Sequence, residues 1–283
     1  MSTNRYYTNA QPIAQDSSVL RYLYNHASGR AILRLMRARW VSVLCGRFLD
    51  SRLSRGLIRG FVEKNGIDLA DYYADDFRCF NDCFSRRIRE GKRPVDQDPD
   101  ALISPCDGLL SAYRLQKDTV IPAKQSRYTV RDLLRNDELA RRYEDGICLV
   151  FRLCVNHYHR YCYVDDAVKE DNRFIRGTLH TVRPVALRVF PVFCENCREY
   201  TVMHTAHFGD VTQIEVGAML VGKIKNHHGA QTVTRGDEKG MFLYGGSTVI
   251  LLLEKDRAAI PAECFAATEN GMEIPVRMGQ RLN

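Results

Sequence analysis

A chain of 283 residues, 45% hydrophobic and 27% charged, can bury one large core or two modest ones, and this composition excludes a disordered polypeptide. The formal net charge of +7 favours anionic partners. No uncharged apolar run reaches the roughly 18 residues of a membrane span, and Met1 to Ser18 lacks the apolar centre of a signal sequence. The ten cysteines (Cys45, Cys79, Cys83, Cys106, Cys148, Cys154, Cys162, Cys194, Cys197 and Cys264) are spread along the chain and read as reduced, cytosolic thiols.

The positive charge is concentrated near the N-terminus. Arg21, Arg30, Arg34, Arg37, Arg39, Arg47, Arg52, Arg55 and Arg59 are accompanied between positions 21 and 59 by a single acid, Asp50. Ile32, Leu35, Met36, Trp40, Val43 and Leu44 follow helical spacing, and Leu49, Leu53, Leu57 and Phe61 continue at steps of four. A basic amphipathic helix pair suits an anionic membrane surface, where each Arg or Lys contributes about 1 kcal/mol. A solvated basic hairpin and a nucleic-acid surface compete with that reading. The lone Trp40 and the width of the apolar stripe favour lipid over nucleic acid.

Phe77, Phe80 and Phe84 are expected on one helical face, with Gly91-Lys92-Arg93-Pro94 ending the helix. The polar stretch from Asp96 to Asp100 reads as a linker, giving a helical region over 1–95 and a β-rich domain over 96–283. Ser104 to Gly108 is a turn feeding a strand, Tyr128 to Tyr143 a short helix, and Ile147 to Val155 an apolar strand. His157 and His159, at i and i+2 on an extended chain, would point the same way and could hold a metal or handle a proton. Cys194 and Cys197, followed by His204 and His207, could be zinc ligands. The same segment also fits a strand pair over Tyr200 to Val216 that turns at Phe208-Gly209-Asp210, with the two histidines on opposite faces, and metal binding is not expected. Val216 to Ile224 reads as a buried strand carrying Gly217 and Gly222.

Tyr244-Gly245-Gly246-Ser247-Thr248 then leads into Val249 to Leu253, a β-branched and apolar run expected to be a buried strand. Glycine frees the backbone and leaves the preceding carbonyl unguarded, so a hydroxyl meets an accessible peptide carbonyl at the strand's mouth. On these residues alone the stretch is an ordinary turn.

In order, these pieces resemble the phosphatidylserine decarboxylase proenzyme family, which is pyruvoyl-dependent. The resemblance rests on Phe80-Asn81-x-x-Phe84-x-Arg86 with Arg93-Pro94, Pro105-x-Asp107-Gly108, Tyr158-His159-Arg160 and Asn196-x-Arg198. It continues through Val216-Gly217-Ala218 with Val221-Gly222, Lys239-Gly240-x-Phe242 and Gly245-Gly246-Ser247-Thr248. It implies an α+β proenzyme in which N-terminal membrane-associating helices precede a β-rich catalytic domain completed by its own C-terminal fragment. It also implies that Ser247 attacks the Gly246 carbonyl, cutting the chain into β (1–246) and α (247–283) fragments that stay associated, and that Ser247 becomes a pyruvoyl group. That group would form a Schiff base with phosphatidylserine and release carbon dioxide, giving phosphatidylethanolamine. Homodimers are a further expectation, as is a peripheral position on the cytoplasmic face of the membrane.

The implied catalytic set is Ser247, Asp107, His159 and His180. His159 is the expected proton donor to the substrate carbanion. Many family members carry a second histidine three residues later, paired with the Asp of Asp-Gly to activate the serine. Here that position is Cys162, whose thiol, with an ordinary pKa of about 8.5, is a poor base. His159, His180 or His157 would have to replace it, with His159 and His180 preferred. Two rivals remain: a pyruvoyl enzyme acting on a soluble amino acid, and a non-processing lipid- or zinc-binding homologue.

Overall fold

The computed structural model describes residues 9–12, 18–36, 39–116, 121–123, 126–178, 180, 186, 192–217, 223–244 and 247–283. The basic N-terminal region is helical: α1 (Ser18–Asn25), α2 (Ala27–Met36), α3 (Arg39–Leu49), a 3-10 stretch Arg52–Leu57, and α4 (Ile58–Asn65). The expected helix pair is therefore broken into shorter pieces. Between α3 and α4, Ser51 Oγ donates to the Phe48 carbonyl, and Ser54 Oγ donates to those of Leu49 and Ser51. These hydroxyls engage carbonyls where α3 ends and tighten the chain into the 3-10 stretch. Ser54 Oγ also accepts the Phe80 N–H at the start of α5 (Phe80–Phe84), which is too short to include Phe77. The helix expected over Tyr128 to Tyr143 is two: α6 (Val130–Leu134), with a Thr129–Asp132 capping box, and α7 (Asp137–Arg142), capped by Asn136. Arg135, at φ 49°, separates them.

The strands run β1 (Gln11–Pro12), β2 (Tyr72–Tyr73), β3 (Arg87–Ile88), β4 (Gly108–Arg114), β5 (Ile121–Ala123), β6 (Ser126–Tyr128), β7 (Ile147–Leu153), β8 (Arg160–Cys162), β9 (Ala167–Lys169), β10 (Arg173–Ile175), β11 (Arg198–Thr205), β12 (Asp210–Val216), β13 (Ile224–Asn226), β14 (Gln231–Val233), β15 (Glu238–Phe242), β16 (Ser247–Leu253) and β17 (Met272–Val276). Ten form one antiparallel sheet in the order β1-β17-β4-β7-β16-β12-β11-β9-β14, with β10 beside β11. A second sheet has the order β13-β15-β8. The β11–β12 hairpin forms where the sequence places it, with Gly209 at φ 67° in the turn. The strand expected across Val216 to Ile224 instead ends at Val216, and β13 starts at Ile224; residues 218–222 lie outside the described ones.

β16 runs through the middle, paired along its length with β7 and from Thr248 onward with β12, and all seven residues are buried. Side-chain alternation divides it between two cores. Ile250 and Leu252 join Leu23, Tyr24, Leu33, Leu133 and Val150 on one face. Val249, Leu251 and Leu253 join Cys106, Phe151, Tyr161, Cys162 and Phe242 on the other, so β8 and β15 of the small sheet share that core. Because Leu23, Tyr24 and Leu33 lie in the first core, α1 and α2 are packed into the same body as the sheet across the expected boundary at residue 95.

The two sheets are also joined by charge. Lys239 Nζ on β15 donates to both Glu215 oxygens on β12 (2.8 Å each), with both side chains fully buried, and Asn226 Nδ2 donates to the same carboxylate. Burial raises the Glu215 carboxyl, and Lys239 opposes that shift. Removing one partner of such a pair strands the other in a dry interior. In a Ser247→Ala background, urea denaturation is expected to show Lys239→Met losing roughly 3–5 kcal/mol of stability. The Lys239→Met/Glu215→Leu double variant should recover most of that loss.

Candidate active site

Ser247 is the first residue of β16, opposite Leu153 of β7. It shares the face of Val249 and Leu251, so its hydroxyl turns toward the core that contains Cys106 and Cys162. Among the described residues Ser247 Oγ is buried with no hydrogen-bond partner, and so is Thr248 Oγ1 on the opposite face. A buried hydroxyl without a partner costs roughly 1–3 kcal/mol, and this hydroxyl stands at the position singled out as the nucleophile. Gly245 and Gly246, and with them the expected scissile bond, lie outside the described residues.

His159 is tied to Ser247 by two short connections. One is the loop from Leu153, opposite Ser247, to His159 just before β8. The other runs from Phe242, whose N–H donates to the His159 carbonyl (2.9 Å), through Tyr244 to Ser247. Aromatic rings pack on the imidazole: Phe84 lies 4.0 Å from it, centroid to centroid and tilted by 37°, and Tyr244 packs edge-on against Phe84. His157 and His159 thus sit in a loop, not side by side on a strand, and their chemistry differs. His159 Nδ1 lies 2.9 Å from the His157 carbonyl. A carbonyl only accepts, so Nδ1 carries the hydrogen and Nε2 of the neutral ring holds a bare lone pair. That Nε2 is buried and unpartnered among the described residues. Burial, then Arg86 and His157, hold the His159 pKa well below the ordinary value, so the ring is neutral near pH 7. In His157 the roles reverse. Its Nδ1 accepts the Cys154 N–H (3.0 Å), which leaves the proton of the neutral ring on Nε2. Burial pushes its pKa down to about 4, with Asp107 opposing and Arg152 reinforcing.

The other residues singled out in the sequence separate. Asp107 has no imidazole among its hydrogen-bond partners: Arg93 donates to both its oxygens (2.8 and 2.6 Å), and the Met278 N–H donates to Oδ1. Cys162 is fully buried, 3.8 Å from the Ser104 carbonyl, and burial pushes its thiol up to about 12. His180 is engaged by the Tyr24 hydroxyl (3.4 Å) and the Glu195 carboxylate (3.3 Å), and Asn196 holds its backbone N–H and carbonyl. Tyr24 belongs to the core on the Thr248 face of the sheet. The residues of the zinc alternative are spread over separate partners. His204 bonds Asp210, His207 bonds Asp165, and Cys197 bonds the Gly177 carbonyl. No cluster of three or more such groups is arranged for a metal among the described residues.

Two arginines were not singled out from the sequence. Arg93 enters the sequence reading only as part of a helix break and of the Arg93-Pro94 motif piece, although it supplies the Asp107 partner. Arg86 was read only as a motif letter, although its guanidinium reaches the His157 carbonyl (3.0 Å). In both cases the partner is distant in sequence, and no local pattern announces the pairing.

Two buried, unpartnered polar atoms, Ser247 Oγ and His159 Nε2, thus lie on connected segments at the start of the central strand. Residues 80–283 match the family described as phosphatidylserine decarboxylase. The chain is 40% identical over 264 residues to phosphatidylserine decarboxylase proenzyme 2 of Clostridium acetobutylicum, an alignment covering 93% of this chain and 90% of that one. It is 38% identical over 269 residues to the phosphatidylserine decarboxylase proenzyme of Clostridium novyi (93% and 91% covered), and 38% over 270 residues to that of Desulfitobacterium hafniense (93% and 91%). The chain belongs to the phosphatidylserine decarboxylase family.

The partly buried His157, neutral near pH 7, makes stability pH-dependent. Its folded pKa of about 4 lies below its unfolded value of 6.5, so the unfolded chain binds more protons between the two, and stability falls as pH falls through that window. For His157 alone the loss between about pH 7 and about pH 5 is roughly 2 kcal/mol. Denaturant titrations at both pH values should show that loss in the parent and a smaller one in His157→Asn.

Proposed function

We propose that this chain is a self-processing phosphatidylserine decarboxylase in which Ser247 is both nucleophile and precursor of a pyruvoyl group, with His159 as the base. The observation that carries the reading is the pair of unsatisfied buried atoms, Ser247 Oγ and His159 Nε2, on segments joined by two short connections. One is a weak nucleophile needing a base, and the other is a bare lone pair on a neutral ring. Family membership supports the substrate and the reaction class.

In this account the Ser247 hydroxyl gives its proton to His159 Nε2, and the oxygen bonds to the Gly246 carbonyl carbon. The Gly246–Ser247 C–N bond breaks, the nitrogen takes the proton from His159, and an ester remains. Loss of the Ser247 Cα proton expels the Gly246 carboxylate and leaves dehydroalanine. Water then replaces the nitrogen, which departs as ammonia, and a pyruvoyl group begins the 247–283 fragment. The site fits that outcome, because Ser247 Oγ has no competing hydrogen bond to surrender. The pyruvoyl group supplies an electron sink that no side chain offers, drawing off the electrons left behind by departing carbon dioxide. His159, protonated at Nε2, delivers the proton to the substrate carbon. Cys162 and His180 are left out of proton transfer. The first is held as a thiol by burial, and the second lies against Tyr24, which belongs to the core on the face of the sheet opposite Ser247. Asp107 serves by clamping Arg93 and the tail at Met278 around the mouth of β4.

The substrate is a membrane lipid, and the helical region supports contact with its surface. Val43, Leu44, Phe48, Leu53 and Leu57 are exposed, Leu53 by 82%, on α3 and the 3-10 stretch that also carry Arg47, Arg52 and Arg55. An apolar cavity of about 340 Å³ opens among Phe48, Leu57, Phe61 and Phe80, with Tyr244 in its wall. Tyr244 lies three residues before Ser247, so the apolar surface leads toward the reacting segment. No helix among the described residues is long and apolar enough to cross a membrane. In this reading the enzyme works peripherally on an anionic surface, and ten unpaired cysteines support a reducing, cytoplasmic side.

Two experiments test this. In a time course of newly translated chain, His159→Ala is expected to slow self-cleavage by more than ~100-fold, while Cys162→Ala stays within a few-fold of the parent. Normal cleavage of His159→Ala would remove His159 as the base. In vesicle co-sedimentation, the chain should pellet with anionic vesicles and less so as salt rises, and Phe48→Glu/Leu53→Glu should stay in the supernatant. Unchanged pelleting of that variant would exclude this surface.

A further inference from the structure

Arg86 and Arg198 are the two largest side chains that are fully buried, and they differ in one respect. Arg198 donates from Nε, Nη1 and Nη2 to the carbonyls of Leu133, Cys194, Asn196 and Asp132, so each nitrogen is satisfied and the side chain staples α6 to the sheet. Arg86 donates from Nη2 to the carbonyls of Asn156 (2.8 Å) and His157 (3.0 Å), and weakly from Nη1 to that of Cys83. Its Nε is buried without a partner, and it makes no ion pair with a carboxylate among the described residues. A guanidinium is charged at any working pH, and burying one without a counter-ion is costly. The Tyr72 ring, 4.5 Å from the guanidinium carbon, compensates only in part.

The His157 carbonyl that Arg86 grips is the one that accepts the His159 Nδ1 hydrogen. We propose that Arg86 is a positioning residue for His159: it holds the His157 carbonyl that accepts the Nδ1 hydrogen, and so selects the imidazole tautomer that leaves Nε2 bare. In a triad an anionic carboxylate orients the imidazole and favours its protonated form. Here a neutral carbonyl orients it and a nearby cation disfavours protonation. His159 therefore accepts the serine proton only transiently and returns it readily, which suits a base that must also serve as the acid in a later step. The charged or titratable groups that act on the ring are Arg86, from beyond α5, and His157, from its own loop. The neighbour stacked on it, Phe84, is neutral, and Tyr244 contacts Phe84.

This inference rests on His159 being the base, and its test is separable from that reading. Ser247→Ala full-length chain, which cannot cut itself, is labelled with ¹⁵N-histidine, and the His159 imidazole is followed by NMR across pH with Arg86, Arg86→Lys and Arg86→Met. The parent is expected to show a single Nδ1–H tautomer. Arg86→Met should show mixed tautomers and a titration moved up by ~0.5 pH unit or more. Arg86→Lys, which keeps the charge but loses the paired geometry, should keep the low titration and mix the tautomers. Cleavage of newly translated Ser247-containing chain should follow suit, with Arg86→Met slowed most at the acid end of the profile. Unchanged tautomer and titration in a folded Arg86→Met chain would overturn the proposal, as would equal slowing at every pH. If Arg86→Met does not fold, Arg86→Lys decides alone: a single Nδ1–H tautomer there overturns it. His159→Ala cleaving normally would instead break the underlying reading and leave the NMR outcome intact.

Discussion

β16 is hydrogen-bonded to β7 from Ser247 to Leu253 and to β12 from Thr248 onward, with every side chain buried. A strand in that position cannot leave without opening both cores, so in the proposed chemistry a cut just before it would leave the fragment bound. The C-terminal piece has further holds. Arg152 on β7 donates to Glu273 on β17, and that carboxylate raises the guanidinium pKa against the effect of burial. The Met278 N–H meets Asp107, and Asn283 bonds Leu102 and Asp100. In the proposed chemistry, cutting at the mouth of β16 changes covalent connectivity without requiring any of these contacts to break.

The same placement explains why the chemistry is confined to a few atoms. In the loop before β8, backbone groups settle the two imidazoles in opposite ways. His157 is a donor because it accepts a backbone N–H, whereas His159 Nδ1 gives its hydrogen to a carbonyl and leaves Nε2 bare. The absence of a histidine at position 162 is then less disruptive than the sequence pattern suggests. Asp107 is held by Arg93 and the tail, and an imidazole at 162 is not needed to satisfy it.

Much of this was legible in the sequence. The apolar run after Ser247, the strand from Ile147 and the hairpin around Gly209 follow from local composition, because burial on both faces or alternation across a turn leaves a pattern within ten residues. Ser247 and His159 could be named from ordered motifs. The break at Ser51–Ser54 was not legible, since hydroxyls that bond carbonyls leave the apolar spacing of Leu49, Leu53 and Leu57 intact. The Tyr24 hydroxyl beside His180 was not legible either, being 156 residues away. The roles of Arg86 and Arg93, named only as motif letters, were hidden for the same reason: what each does depends on a carbonyl or carboxylate brought in by the fold. The tautomer of His159 is the least readable feature, because a single backbone carbonyl sets it.

Conversion of Ser247 is the claim on which the rest turns, and the intact mass of the purified chain tests it most directly. The account predicts two masses in denaturing solvent, one for 1–246 and one for 247–283 with its first residue as a pyruvoyl group and no free amine, co-eluting as one species under native conditions. Ser247→Ala should give one mass near 32.5 kDa. A single mass near 32.5 kDa for the parent chain after prolonged incubation would contradict it.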